Sequence, residues 1–169
     1  VDGTEWGKAQ KCRAVKRRSV STKHTVHVPR RSREVADEYN ELMLSYKGYN
    51  IEFRAYNEGI AYRFVSCSKK ADKVNGETVN FNLDDNAMTY TQLTNRMQQW
   101  FEYNYTERRF ASLPSDSLVI LPMLASINGY QVVFAEADVY DYPGIYLRRD
   151  GSGLRGDFAY FPATERPED

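Results

Sequence analysis

Two carboxylates that could bind a cation follow a short apolar segment of the chain. Glu136 and Asp138 come directly after Gln131–Ala135 and before the Tyr-Asp-Tyr-Pro-Gly segment at 140–144. A spacing of two in extended backbone places both side chains on one face. Carboxylates on one face repel each other unless they bind a cation, accept hydrogen bonds or face water, and calcium prefers such oxygen ligands. From the residues alone, a metal site and a hydrogen-bonded turn both remain open.

Aromatic side chains offer a second kind of chemistry. The chain holds 13 Tyr, 8 Phe and 2 Trp, which together make 14% of its residues. Tyr and Trp stack on the apolar faces of sugar rings while their polar tips hydrogen-bond to hydroxyl groups. The same residue types are favoured in the cores and cross-strand pairs of β-sheets. If the aromatic residues bind carbohydrate, the expected stacking platform is Trp100, Tyr103, Tyr140 or Tyr142.

The segment Gly151–Gly156 matches the G-x-G-x-x-G pattern of dinucleotide-binding folds letter for letter. That chemistry needs a strand, a glycine turn and a helix whose N-terminus receives a pyrophosphate. Only 13 residues follow Gly156, too few for a βαβ unit. Phe158, Tyr160 and Phe161 indicate a strand instead of a helix. We therefore interpret the motif as a hairpin loop.

Other potential metal ligands and nucleophiles do not form a recognisable site. His24 and His27 are the only histidines, and their spacing in a strand directs them to opposite faces. Cys12 and Cys67 are too few for a disulfide framework or a four-ligand zinc site, and one disulfide between them remains open. The segment Asp84–Asn86 lacks the alternating ligands and the glycine of a calcium loop, so we expect a solvated turn.

Short strands joined by tight turns must position these residues. Asn128-Gly129, between Leu118–Ile127 and Tyr130–Ala135, is the strongest hairpin signal, because two-residue hairpin turns favour this pair. Lys47-Gly48 is expected to join two strands in a similar way. Ile60–Val65 then follows as the third strand of a meander.

Three further segments complete the predicted elements. Val20–Val28 is predicted as a strand with partial alternation. Apolar residues between Leu93 and Phe101 recur at helical spacing, which predicts a short helix near Thr91–Phe101. Val35–Met43 has a spacing that fits either a helix or a strand. The predicted fold class is mainly β, an antiparallel β-sandwich with one short helix.

Length and charge limit the classes of function. The chain has 169 residues, and 23 basic side chains balance 23 acidic ones, which argues against a dedicated nucleic-acid binder. The longest apolar stretch, Leu118–Ala125, is far below the roughly 18 residues that a membrane-spanning helix needs. Residues 1–34 hold 10 basic and 3 acidic side chains, whereas the remainder holds 13 and 20. We expect a basic segment with leading strands at 1–34, a β-sandwich domain at 35–165 and a linker stub at 166–169.

Several segments follow one another along the chain in an order that is characteristic of one enzyme family. The most specific is Phe134–Leu147, and the others are Tyr49–Phe64, Trp100, Glu102–Arg108, Leu113-Pro114 and Leu121–Leu124. Together they cover most of the chain, from about residue 39 to about residue 162. In this order they resemble the N-terminal domain of glycoside hydrolase family 97.

The resemblance implies a periplasmic or secreted parent enzyme that removes α-glucosyl or α-galactosyl units, as in Bacteroides-type bacteria. Such enzymes combine a β-supersandwich N-domain, a catalytic (β/α)8 barrel and a C-terminal β domain. They hold an active-site calcium ion through barrel glutamates and one N-domain glutamate, which Glu136 matches by motif. Asp138 is then expected to orient Glu136. The implied partners are the barrel of the same polypeptide and, through the parent enzyme, carbohydrate.

The resemblance also implies that part of the family pattern lies outside this sequence. Family N-domains carry further strands before the segment that aligns with Val1, and the catalytic carboxylates lie in the barrel. We therefore expect the chain alone to be inactive towards glycosides and to bind calcium weakly or not at all. Two alternatives remain: a stand-alone carbohydrate-binding sandwich, and a structural or interface domain whose exposed surface drives homodimerisation.

Overall fold

The protein folds into antiparallel sheets connected by short turns. The computed structural model describes residues 1, 3–8, 10–28, 31–70, 73–97, 102–137, 139–140 and 142–159. The chain divides into two compact units, Val1–Asn75 and Gly76–Asp169, which we call the N-terminal unit and the C-terminal unit. Two antiparallel sheets confirm the predicted mainly β class and are consistent with a β-sandwich.

The N-terminal unit is a meander of four long strands. Its strands are β1 (Ala14–Thr25), β2 (Glu34–Ser45), β3 (Tyr49–Ala55) and β4 (Ile60–Ser66), and they pair antiparallel in chain order. The predicted turn at Lys47-Gly48 is confirmed, and Gly48 has a φ of +90°, which suits glycine. The predicted third strand is confirmed as β4, and the ambiguous segment Val35–Met43 is a strand within β2.

The first strand extends beyond the segment that the sequence predicts. We expected a strand at Val20–Val28, whereas β1 begins at Ala14 and ends at Thr25. All of its residues except Val20 are exposed. β1 pairs with β2 along its whole length. The sequence did not reveal the start of the strand, because charged residues on an exposed edge strand produce no apolar alternation. This part of the strand prediction is therefore wrong in its boundaries.

Aromatic stacking anchors one end of the N-terminal sheet. The Tyr49 ring is fully buried and lies between the rings of Trp6 and Tyr46, with centroid distances of 4.8 and 5.0 Å. The Tyr49 hydroxyl accepts a hydrogen bond from the Gly7 amide at 2.8 Å. Because a buried tyrosine needs a partner for its hydroxyl, this bond ties the segment around Trp6 to the sheet.

A buried carboxylate joins three neighbouring strands in the N-terminal unit. Glu41 on β2 accepts hydrogen bonds at 2.6 and 2.9 Å from Arg18 on β1, and a longer one at 3.4 Å from Arg54 on β3. The Arg54 guanidinium also lies 4.5 Å from the centre of the Tyr39 ring. The hydrogen bond from Arg18 lowers the pKa of Glu41 below its ordinary value. These ion pairs stabilise the alignment of β1, β2 and β3.

The C-terminal unit contains the longer sheet. Its strands are β5 (Asn80–Asn82), β6 (Met88–Thr94), β7 (Thr106–Arg109), β8 (Leu118–Ile127), β9 (Tyr130–Phe134), β10 (Ile145–Asp150) and β11 (Gly153–Phe158). They are ordered β5-β11-β10-β8-β6-β7, and β9 pairs with β8 beside this path. Five of the ten residues of the central strand β8 are buried, in keeping with its apolar sequence. Its core partners are Phe110, Leu113, Leu147 and Leu154.

Two sequence expectations for the C-terminal unit have opposite outcomes. The hairpin at Asn128-Gly129 is confirmed: both residues have positive φ, 49° and 83°, as the primed turn requires. The helix predicted near Thr91–Phe101 is wrong where it can be followed, because β6 continues to Thr94 and pairs with β8. A single 3-10 turn at Phe110–Ser112 is the helical element of the described residues. None of the described helical segments has the length and apolarity needed to cross a membrane.

Candidate functional site

Glu136 lies between β9 and β10, where its carboxylate accepts a hydrogen bond from the first amide of β10. The Ile145 nitrogen lies 3.0 Å from Oε2 and 3.3 Å from Oε1. Gly144 allows this approach, since a Cβ at this position would lie 3.3 Å from Oε1 of Glu136. The Gly144 carbonyl accepts a hydrogen bond from the Ala159 amide at 3.1 Å, which fixes the turn to the end of β11. The turn that contains the Pro-Gly pair at 143–144 thus allows the Glu136 carboxylate to approach the Ile145 amide.

The surroundings of Glu136 shift the pKa of its carboxyl group in two opposing ways. Burial raises the pKa of the Glu136 carboxyl above its ordinary value, and the hydrogen bond from Ile145 opposes that increase. In the described part of the chain, no Lys or Arg forms an ion pair with this carboxylate. A bound cation would stabilise the charged form, which makes Glu136 suitable as an oxygen ligand for calcium.

Glu136 can supply only part of a calcium site. Calcium takes about 6–8 oxygen ligands. Within the described ranges, no group of three or more His, Cys, Asp or Glu residues could hold a metal ion. Asp138, the predicted orienting residue, lies outside the described residues. A calcium ion on Glu136 therefore requires ligands from outside the part of the chain that the structure describes.

Tyr142 occupies the same inter-strand segment and has a structural partner that the sequence did not reveal. Its hydroxyl donates a 2.6 Å hydrogen bond to Glu77, 65 residues away, and its ring meets Phe158 edge-on at 6.2 Å. Burial and the hydrogen bond to Glu77 raise the pKa of the Tyr142 hydroxyl. No local sequence pattern signals a contact at this separation, so Glu77 could not be identified in advance.

The other predicted stacking residues are distributed over the C-terminal unit. Tyr140 is 81% exposed in the segment between β9 and β10, close in sequence to Glu136. Tyr103 is 44% exposed and lies before β7, at the opposite side of the sheet order. Trp100 lies outside the described residues. Tyr103 and Tyr140 therefore precede different strands, β7 and β10, and their role in carbohydrate binding stays a prediction.

The glycine motif is a hairpin, as its sequence context predicts. Strands β10 and β11 flank Gly151-Ser152, and Gly151 has a φ of +58°. Gly153 and Gly156 serve close packing: a Cβ at Gly153 would lie 2.9 Å from the Phe81 carbonyl oxygen. A Cβ at Gly156 would lie 2.4 Å from Cγ1 of Val79. The three glycines thus have local structural roles that require no nucleotide.

The remaining polar candidates also have structural explanations. His24 pairs with Asp37 on the neighbouring strand at 3.1 Å, whereas His27 follows the end of β1. Cys12 and Cys67 are both free thiols. The predicted turn at Asp84–Asn86 is confirmed, since the Asp84 carboxylate accepts a 2.8 Å hydrogen bond from the Asn86 amide.

Comparisons with known proteins agree with the resemblance. The family model described as "Glycosyl-hydrolase 97 N-terminal" matches residues 2–164. A curated retaining alpha-galactosidase from Bacteroides thetaiotaomicron is 31% identical over 177 aligned residues, which cover 98% of this chain and 26% of the relative. The chain therefore spans about a quarter of the length of that relative. The matched range includes Glu136 and nearly the whole sequence, and the chain belongs to the N-terminal domain family of glycosyl hydrolase family 97.

Proposed function

We propose that the chain is the non-catalytic N-terminal domain of an exported α-galactoside hydrolase. The family match over residues 2–164 carries this proposal. The chain covers 26% of the relative, as expected for one domain of a longer enzyme. The relative's name supports an α-galactoside as the substrate of the parent enzyme. In this role the domain braces a catalytic barrel of the same polypeptide, which provides the acid and nucleophile carboxylates.

We propose further that Glu136 contributes one carboxylate to a calcium ion of the parent enzyme. The hydrogen bond that its carboxylate accepts from the Ile145 amide supports this proposal, because it orients the carboxylate. Calcium bound there would act as a Lewis acid and as a template for the substrate. The Ile145 amide of this chain holds the carboxylate in place.

Hydrolysis of 4-nitrophenyl α-D-galactopyranoside tests the proposal. We expect the isolated chain to release no nitrophenol, because the proposal places the catalytic carboxylates in the barrel. In the parent enzyme, Glu136→Gln should reduce kcat/KM by at least tenfold and weaken the response to added calcium. Asp116→Asn is the matched control, because Asp116 is an exposed carboxylate outside this segment.

Two outcomes would contradict the proposal. Turnover by the isolated chain would show that it is an enzyme in its own right. Unchanged kcat/KM and calcium response for the Glu136 variant would remove the proposed ligand role. The alternative of a homodimerising interface domain stays a prediction, and light scattering of the purified chain distinguishes dimer from monomer by mass.

A further inference from the structure

An open cleft separate from the Glu136 segment lies in the C-terminal unit. It has a volume of about 320 Å³ and is lined by Leu93, Thr94, Asn95, Tyr103 and Ser117. These residues come from the end of β6 and the residue after it, the segment before β7 and the residue before β8. These five lining residues carry no charged side chain. A volume of this size lies near the lower limit of small-molecule sites, which are roughly 300–1,000 Å³.

Hydrogen bonds hold two of the walls of this cleft. The Gln92 side-chain amide donates to the Tyr103 carbonyl oxygen, so the backbone before β7 is attached to β6. The Thr94 hydroxyl accepts a hydrogen bond from the Arg96 amide at 3.1 Å. Because the backbone at Tyr103 is fixed in this way, its half-exposed ring is presented at a defined place.

Three polar groups of the cleft have no partner in the described residues. The Asn95 amide, the Tyr103 hydroxyl and the Ser117 hydroxyl make no hydrogen bond within the described ranges. Two other tyrosines of this unit differ, since the Tyr142 hydroxyl donates to Glu77 and the Tyr146 hydroxyl donates to the Met97 carbonyl. The free groups are neutral and include both donors and acceptors.

We propose that this cleft is a binding subsite for a single neutral pyranose ring. An aromatic face beside neutral amide and hydroxyl groups suits a ring that has one apolar face and several hydroxyls. The neutral character of the five described lining residues disfavours a phosphate or a metal ion. The choice of an α-galactoside as the first probe rests on the proposed function, whereas the site itself rests on the cleft.

Titration of the 169-residue chain with methyl α-D-galactopyranoside tests the subsite. We expect saturable shifts of amide NMR signals around the cleft, with a dissociation constant in the millimolar range. Tyr103→Ala should weaken binding at least tenfold, because it removes the stacking face. Tyr105→Ala is the matched control, since Tyr105 is 55% exposed but does not line the cleft.

Two milder variants distinguish the loss of binding from misfolding of the Tyr103→Ala chain. Tyr103→Phe keeps the ring and should retain binding within about threefold, and Asn95→Ala should weaken binding without removing the ring. Equal weakening by Tyr105→Ala and Tyr103→Ala would overturn the proposal. The absence of saturable binding to methyl α-D-galactopyranoside, methyl α-D-glucopyranoside and methyl β-D-glucopyranoside would also overturn it.

The test separates the subsite from the proposed function. Binding of a glucoside but no galactoside, with the same variant pattern, would support the cleft and contradict the α-galactoside assignment. Saturable binding that is unaffected by Tyr103→Ala would overturn the cleft and would leave the calcium proposal, which concerns the parent enzyme, untouched. Binding that is unaffected by a chelator and lost in Tyr103→Ala supports the subsite.

Discussion

The replacement of Gly156 by alanine tests whether the glycine motif serves packing. A Cβ at this position would lie 2.4 Å from Cγ1 of Val79 and 2.9 Å from Cδ1 of Ile145. Carbon atoms in contact normally lie about 3.5–4.0 Å apart. The neighbours would therefore have to move by roughly 1 Å. The backbone of Val79 is held beside Gly156, because its carbonyl accepts a 2.9 Å hydrogen bond from the Gly156 amide.

The cost of Gly156→Ala follows from overpacking. Inserting a methyl group into a well-packed position costs about 1–3 kcal/mol. The lower conformational entropy of alanine in the unfolded chain offsets about 0.4–1 kcal/mol of this cost. A net loss of about 1–2 kcal/mol corresponds to a decrease in Tm of roughly 2–8 °C for a chain of this length.

Thermal unfolding followed by circular dichroism measures this effect. Gly76→Ala is the control in the same unit, because a Cβ at Gly76 would have no neighbour within 4 Å. The control should leave Tm unchanged or raise it slightly. If Gly156→Ala melts at or above the temperature of Gly76→Ala, the packing explanation of the motif is refuted.

Three further substitutions test polar contacts of the two units. Tyr142→Phe should lower the free energy of unfolding by about 1 kcal/mol in urea titrations, because it removes the hydrogen bond to Glu77; no change would show that this bond contributes nothing. Burial raises the pKa of Glu136, so the folded state retains a proton where the unfolded state has lost it, and stability should fall as pH rises from the ordinary value of this carboxyl to the raised one. Glu136→Gln should flatten that dependence in calcium-free buffer, and an unchanged slope would contradict the assignment. Arg18 lowers the pKa of Glu41, so its stabilisation should be present above the ordinary carboxyl pKa and disappear as pH falls, and Glu41→Gln should remove this acid sensitivity.

The sequence predicted those elements that local chemistry determines. The turns at Lys47-Gly48 and Asn128-Gly129 could be predicted, because residues that tolerate positive φ lie between β-favouring segments. The helix near Thr91–Phe101 was predicted wrongly from apolar spacing. Pairing of β6 with β7 and β8 outweighs that periodicity, and no local pattern contains this information.

The candidate site was predicted less completely than the fold. The sequence indicated Glu136 as an exceptional carboxylate and left its hydrogen-bonded turn as an alternative, and the structure shows that the carboxylate does bind the Ile145 amide. It did not reveal Glu77 or the Tyr103 cleft. Both depend on contacts between residues far apart in the chain, which composition and spacing do not encode.

Calcium affinity of the parent enzyme tests the central claim most directly. Isothermal titration calorimetry should be performed on the wild-type parent, Glu136→Gln and the Asp116→Asn control after removal of divalent cations. We predict that Glu136→Gln weakens calcium binding at least tenfold, whereas the control matches the wild type. A Glu136→Gln enzyme that folds normally and binds calcium as tightly as the wild type would contradict the claim that this domain supplies a ligand.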